Sequence, residues 1–150
     1  MTEAEARREL SMALGSPIYE VGLIIHPEQP WLCCSPDGIH VANGNKCLVE
    51  IKCPFSLKEN HRLIDYEHEL SFVPYIEYSN GHLMLKKGHA YYTQVMVMLC
   101  ILNLDHALFF VYSPQHSITV TVKKDDGFLA EYIPKLEGFY FKHLLRFLTH

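Results

Sequence analysis

A charged pair interrupts an apolar run near the middle of the chain. The segment CLVEIKCP (47–54) sets Glu50 and Lys52 beside Val49 and Ile51. An apolar run of this length is typical of a strand that is covered on both faces. Burying a carboxylate and an ammonium group is costly unless each has a partner. The fold must therefore supply that partner, which is either an ion pair or a metal ion.

The residues before this segment predict a β-hairpin. Asp37 lies in the turn SPDG, IHVA reads as a strand, and NGN is a tight connection to the strand of Glu50. A hairpin places the start of its first strand beside the end of its second, so Asp37 and Glu50 are expected to meet. Alternation puts Glu50 and Lys52 on one face and the side chain of Ile51 on the other.

Two neighbouring carboxylates need a proton or a cation between them. Mg²⁺ or Mn²⁺ suits oxygen ligands of this kind, and a lysine beside the ion can hold the attacking water and offset phosphate charge. This is chemistry for phosphodiester hydrolysis. The alternative is structural, because Asp-Gly turns and solvated Glu-x-Lys pairs are common in proteins.

The rest of the chain alternates between helical and extended patterns, which predicts an α/β or α+β domain with a mixed sheet. Helices are predicted at 3–13, ended by Gly15, at 57–66 and from Asp126 onward, with Pro134 bending or breaking the last one. The apolar stretch 90–102 has the length of a helix, but its β-branched residues leave a strand open. Strands are predicted at 18–26, 31–34, 39–42, 47–53, 107–112 and 117–123, and a further hairpin or an ordered loop is predicted within 72–85.

Composition narrows the class of protein and its partners. The 150 residues, 49% hydrophobic and 20% charged, fit one soluble domain. No apolar run is long enough to span a membrane, so no membrane is expected among the partners. A net charge of −4 argues against binding nucleic acid by charge alone, although bound divalent cations would offset it. Five cysteines without a Cys-x-x-Cys motif predict reduced thiols and an intracellular protein, in the nucleus or the cytoplasm.

Three motifs together resemble those of a known family. CCSPDGI, CLVEIKCPF and HAYYTQVMVML are similar to motifs of the PD-(D/E)xK nucleases, and among them of the YqaJ-like viral recombinase and phage lambda exonuclease family. Met96 departs from the pattern at a position where a second glutamine is common. The resemblance covers nearly the whole chain. It implies a restriction-endonuclease-like core in a single domain, 1–150, from which we expect the N-terminal part of the family fold to be missing.

The resemblance also implies roles for the residues of the hairpin. Asp37 and Glu50 would bind Mg²⁺ or Mn²⁺ through their carboxylates, and the Ile51 carbonyl would be a further ligand. Lys52 would position or deprotonate the nucleophilic water.

Further residues would complete the site. Glu3 would orient a metal-bound water or complete a second metal site, with Glu5 as the alternative on the same helix. Gln94 would reach toward Lys52 or the scissile phosphate. Tyr91 would line the substrate channel, and core packing is the competing interpretation of that side chain.

Three more residues are candidates for contact with the substrate. Ser35 would hydrogen-bond a phosphate, although a turn cap is the commoner role for a serine at such a position. Lys58 and Arg62 lie four residues apart in the segment after the site and would contact the DNA backbone, unless they belong to a solvated face.

The implied function is metal-dependent hydrolysis of DNA, by an exonuclease acting on duplex ends. The substrate partner would be duplex ends or single strands, and a homo-oligomer is compatible with the resemblance. Two alternatives stay open: a catalytically inactive nuclease-fold module that only binds nucleic acid, and a nuclease of the same fold that acts on RNA.

Overall fold

The computed structural model describes residues 2–54 and 62–149. Short strands separate three longer helices. In chain order the elements are α1 (Glu3–Leu14), β1 (Ile18–Tyr19), β2 (Ile24–Ile25), β3 (Cys33–Cys34), β4 (Gly38–Ala42), β5 (Asn45–Lys52), β6 (Ile64–Asp65), β7 (Leu70–Ser71), β8 (Ile76–Ser79), β9 (His82–Leu85), α2 (Ala90–Leu102), β10 (His106–Ser113), β11 (His116–Lys123), α3 (Asp126–Phe139), a π-helical turn (Tyr140–Leu144) and α4 (Leu145–Leu148).

Within the described residues, a mixed five-stranded sheet forms the centre of the fold. Its strand order is β1-β4-β5-β10-β11. β5 and β10 run parallel, joined by a crossover that contains α2, and the other neighbours are antiparallel. Phe109 of β10 lies in register with Glu50 of β5. The predicted mixed α/β architecture is therefore confirmed.

The alternation along β5 divides the core between the two faces of the sheet. Val49 and Ile51 pack with Ala6 and Leu10 of α1 in a smaller cluster. Leu48 points to the other face, into a larger cluster with residues of α2, β8, β9, β10 and β11. Both faces of β5 are thus covered, as the apolar run 47–53 predicts.

The hairpin β4–β5 has the tight turn that its sequence predicts. Asn43 has φ 52° and Gly44 has φ 77°, the left-handed pair required by a two-residue hairpin loop. Ala42 then pairs with Asn45 and Gly38 with Val49. This register carries the turn before β4 to the far end of β5.

Two predicted elements are wrong within the described residues, for different reasons. The predicted strand 18–26 is divided into β1 and β2 because β1 pairs with β4 in the central sheet, whereas β2 pairs with β3 in a separate one. Gly22 and its exposed neighbours lie between the two pieces. Of the predicted helix 57–66, residues 57–61 lie outside the described residues, and 62–66 contain β6 and a turn. There the Asp65 carboxylate accepts the backbone N–H groups of Glu67 and His68, which competes with helix formation.

The segment 90–102, for which the apolar pattern alone left a strand open, is a helix, and the last helix differs in detail from its prediction. α2 spans Ala90–Leu102 within the crossover. The N-cap of α3 is Asp125, one residue before the expected Asp126, and its carboxylate accepts the N–H of Phe128 at 2.9 Å. α3 continues through Pro134 to Phe139. In the described parts of the chain, no helix has both the length and the hydropathy that a membrane crossing requires.

Candidate active site

Glu50 lies at the centre of the candidate site, on the face of β5 turned toward α2. It is 2% exposed. Its Oε1 accepts two hydrogen bonds, from Lys52 Nζ at 2.6 Å and from Gln94 Nε2 at 2.9 Å. Its Oε2 is buried without a hydrogen-bond partner among the described residues. A buried carboxylate oxygen without a donor is costly, and its position marks a place where a cation or a proton is needed.

Asp37 approaches Glu50 from the neighbouring strand, as the hairpin predicts. Its Oδ2 accepts the backbone N–H of Ile51 at 2.7 Å, and its main-chain oxygen accepts Arg7 Nε at 2.9 Å. The turn before β4 is thereby fastened to β5 on one side and to α1 on the other. Both contacts fix the backbone around the carboxylate and hold it close to Glu50.

The electrostatics of the pair follow from burial. Burial raises the pKa of Glu50 from 4.5 to about 7, the hydrogen bond from Lys52 works against this rise, and the negative charge of Asp37 adds to it. The Lys52 ammonium does not balance two ionised carboxylates, and Arg7 is already paired with Glu3 and with Glu20. Above neutral pH the site therefore has an excess of negative charge.

The donor set fits a hard divalent cation. Asp37 and Glu50 offer carboxylate oxygens, and Ile51 follows Glu50 with its carbonyl. No cluster of three or more His, Cys, Asp or Glu side chains arranged to hold a metal occurs within 2–54 and 62–149. Mg²⁺ commonly uses only one or two protein carboxylates and completes its shell with water and substrate phosphate, so two carboxylates suffice.

Helix α2 presents two side chains to the Glu50–Lys52 pair. Tyr91 and Gln94 are three residues apart and share a helix face. Lys52 Nζ lies 4.4 Å from the centroid of the Tyr91 ring. Gln94 donates to Glu50, whereas the resemblance implies that it reaches Lys52 or the phosphate.

Glu3 lies on α1 and is linked to the site through Arg7. Its Oε1 pairs with the guanidinium of Arg7, which also donates to the main chain of Asp37. Burial raises the pKa of the Cys53 thiol, and the negative charges of Glu3 and Asp37 raise it further. The side chain of Glu5, the alternative to Glu3, belongs to the capping box of α1 with Thr2.

The residues predicted to contact the substrate do not lie together in the structure. Ser35 is exposed and lines a groove of about 330 Å³ that Gln94 also borders. Arg62 lines a different cavity, of about 540 Å³, together with Tyr66 and His116. Lys58 lies outside the described residues.

Sequence reasoning missed the part played by Arg7. Its side chain is 13% exposed and joins α1 to the Asp37 turn and to Glu20. A signal was present, because Arg7 follows Glu3 by four residues on a predicted helix, which is the spacing of an ion pair. That spacing does not reveal the long-range contact with Asp37, which depends on how α1 packs against the sheet.

Comparison with solved structures places the fold. A crystal structure of an alkaline exonuclease (LHK-Exo) from Laribacter hongkongensis superposes with a TM-score of 0.66 at 22% identity, over 91% of this chain and 62% of that one. A crystal structure of LHK-Exo in complex with dAMP gives a TM-score of 0.61 at 23% identity, over 97% of this chain and 71% of that one. The chain thus spans about two thirds of the length of that enzyme, and it shares its fold.

Comparison of sequences identifies the family. No curated protein matches the chain. The family model of the YqaJ-like viral recombinase domain matches residues 1–105, which include the Asp37 turn, β5 and Gln94. The resemblance found in the three motifs is confirmed, and the chain belongs to the family of YqaJ-like viral recombinase domains.

Proposed function

We propose that this protein is a metal-dependent deoxyribonuclease that hydrolyses DNA phosphodiester bonds, as an exonuclease acting on duplex ends. One observation carries the proposal: the buried Glu50 Oε2 has no donor among the described residues and lies beside a second carboxylate, that of Asp37. Lys52, at 2.6 Å from the other oxygen of Glu50, supplies a fixed positive charge at the same place.

Family and fold support the proposal. The chain belongs to a recombinase domain family and shares the fold of a protein described as an alkaline exonuclease, which has also been crystallised with the nucleotide dAMP. Because the identity is 22–23% and part of that enzyme has no counterpart in this chain, its reaction is carried over here as a proposal.

Asp37, Glu50 and the Ile51 carbonyl are the groups that would hold Mg²⁺ or Mn²⁺ in this site. When bound, such a cation supplies Lewis-acid stabilisation of the negative charge that develops on the phosphate. The protein prepares its own part of the site without the ion. Gln94 and Lys52 occupy Glu50 Oε1, so that Oε2 is the oxygen left available.

We assign to Lys52 the role of positioning or deprotonating the attacking water. Its ammonium has three N–H groups, and one of them is directed at Glu50. The others are available to a water molecule and to a phosphate oxygen. We also assign the Ser35 hydroxyl to a hydrogen bond with a phosphate oxygen of the DNA, because Ser35 lines the groove that Gln94 borders.

A cleavage assay tests the proposal. Linear duplex DNA is incubated with the protein in Mg²⁺, in Mn²⁺ or in EDTA, and the wild type is compared with Glu50→Gln and Lys52→Ala. We expect degradation that needs the metal and falls by about 10²–10⁴-fold in both variants. Lys124→Ala is the matched control, because Lys124 is paired with Asp126. We expect this variant to keep wild-type activity.

The choice of substrate separates the remaining alternatives. An exonuclease degrades linear duplex and leaves a covalently closed circle intact. Cleavage of RNA in preference to DNA would favour the RNA-acting alternative. Binding without cleavage of any substrate, in any of the metals, would contradict the nuclease proposal and favour a module that only binds nucleic acid.

A further inference from the structure

The Tyr91 ring and the Lys52 ammonium are in contact inside the candidate site. Lys52 Nζ lies 4.4 Å from the ring centroid, within the roughly 6 Å at which an aromatic face attracts a cation. The Lys52 side chain is only 18% exposed, so the interaction is largely desolvated. Such contacts are stronger when water is excluded.

Other aromatic side chains fix the Tyr91 ring. Tyr75 meets it edge to face at 5.0 Å between centroids, and His89 does the same at 4.7 Å. Phe109, in register with Glu50 on the next strand, lies 6.1 Å away. The His89 ring also accepts the backbone N–H of Tyr91 at 3.1 Å, which anchors the first turn of α2. The ring is therefore held in place by its surroundings and does not depend on Lys52 for its position.

A ring face constrains an ammonium differently from a carboxylate. It attracts the positive charge without accepting a directed hydrogen bond, and it brings no negative charge that would neutralise the lysine. Gln94, one turn later on α2, meanwhile holds Oε1 of Glu50. One face of α2 thus holds both members of the Glu50–Lys52 pair.

We propose that Tyr91 is a positioning residue for Lys52: its ring face keeps the ammonium at the end of β5 while leaving N–H groups of Lys52 free for water and phosphate. The inference rests on the proposed nuclease function for its catalytic meaning. The Lys52–Tyr91 contact itself does not depend on that function.

A double-mutant cycle on unfolding tests the contact without any activity assay. Lys52→Met, Tyr91→Leu and the double variant are unfolded in urea with EDTA present. We expect the two sites to be coupled by a factor of about five to thirty in the unfolding equilibrium constant. Tyr92→Leu combined with Lys52→Met is the matched control, because Tyr92 faces Asp125 and Phe128, and its coupling factor stays near one.

Ring electronics test the positioning role. Tyr91→Phe keeps the ring, so its kcat stays within about twofold of the wild type, and Tyr91→Leu lowers kcat about tenfold. Phenylalanines with one, two and three ring fluorines at position 91 weaken the negative ring face while nearly keeping its shape. We expect kcat to fall stepwise along this series while KM changes less, a trend that simple packing does not produce.

The outcomes distinguish this inference from the proposal on which it rests. A coupling factor near one, or a fluorine series with constant kcat, would overturn the role of Tyr91 even in an active nuclease. A wild-type protein that cleaves nothing would overturn the nuclease proposal, and the unfolding cycle would still decide whether Tyr91 holds Lys52.

Discussion

At the scale of the residue, Glu50 is a charged side chain that is costly for the fold to accommodate. Its carboxylate is buried beside another carboxylate, and its two oxygens have opposite environments. Oε1 has two donors, whereas Oε2 has none among the described residues. Lys52 compensates only part of this, since the pKa of Glu50 is still raised, by burial above all. The residue is thus poorly suited to stabilising the fold and well suited to binding a cation.

The raised pKa predicts a pH dependence of stability in the metal-free protein. The folded protein holds the Glu50 proton up to about pH 7, whereas the unfolded chain releases it near pH 4.5. Between these values the unfolded state binds fewer protons, so the free energy of unfolding falls as the pH rises. In EDTA we expect the wild type to lose up to about 3 kcal/mol from this group between pH 4.5 and 8.

Urea unfolding of the wild type and of Glu50→Gln at several pH values measures this loss. The glutamine variant does not ionise, so its stability should be flatter over the same range. Saturating Mn²⁺ should restore the wild type at pH 8 and leave the variant unchanged. If the stabilities of the two proteins in EDTA changed in parallel with pH, the pKa of Glu50 would not be raised in the folded protein.

At the scale of the element, the hairpin β4–β5 and helix α1 together place the Asp37 turn. The Asn43–Gly44 turn sets the register, and Arg7 fastens the main chain of Asp37 to α1. Gly38 permits a third contact, because β1, the antiparallel neighbour of β4, lies close to the Gly38 α-carbon. A Cβ at this position would lie 2.4 Å from Ile18 Cγ2. The turn is therefore held from three sides.

Gly38→Ala should displace β1 or the Asp37 turn, because the β-branched side chain of Ile18 has little freedom to move. We expect a loss of about 1–3 kcal/mol in the free energy of unfolding, which is typical of overpacking, and weaker binding of Mn²⁺. Gly22→Ala is the matched control, since a Cβ at Gly22 meets no atom within 4 Å. Urea unfolding and calorimetric titration with Mn²⁺ check both variants. Equal stabilities for the two would mean that the contact with Ile18 is loose.

The elements that could be predicted from the sequence are those with strong local signals. The hairpin β4–β5 followed from its Asn-Gly turn. The apolar run of α2 left a strand open, and the resemblance of its motif favoured a helix. The division of 18–26 depends on which strands find neighbours, and this is a tertiary effect that no local pattern reveals. The turn at Asp65 depends on side-chain capture of backbone N–H groups.

The same division applies to the candidate site. Alternation and the hairpin register predicted that Asp37 and Glu50 would meet and that Lys52 would share the face of Glu50. Spacing could not predict three contacts, because they depend on how α1 and α2 pack on the sheet. These are the hydrogen bond from Gln94 to Glu50, the one from Arg7 to the main chain of Asp37, and the contact of Lys52 with the Tyr91 ring. The assigned roles of these residues remain predictions.

At the scale of the whole molecule, the site lies where β5, covered by a core on each face, comes to its end. The larger core lies toward α2 and includes Phe109, which is fully buried. The segment from Tyr140 to Leu148, by contrast, contributes no buried residue, and Phe147 is 88% exposed. The folding energy should therefore be concentrated around the sheet that carries the site.

This distribution predicts very different effects for one kind of substitution at two places. Phe109→Ala should lower the free energy of unfolding by about 3–5 kcal/mol, because it leaves a cavity beside Glu50. Phe147→Ala should change it by no more than about 0.5 kcal/mol, because the ring is solvated in the folded state as well. Urea unfolding of the two variants makes the comparison. A similar loss for both would mean that the Phe147 ring is packed against other residues in the folded protein.

The central claim is that a divalent cation belongs between Asp37 and Glu50, and anomalous diffraction tests it most directly. A crystal of the wild type grown or soaked in Mn²⁺ is measured at the manganese absorption edge. We predict one strong anomalous peak in contact with Glu50 Oε2 and an oxygen of Asp37, with the Ile51 carbonyl adjacent, and no such peak in Glu50→Gln. A wild-type map without density at this place, or with manganese bound only elsewhere, would contradict the account.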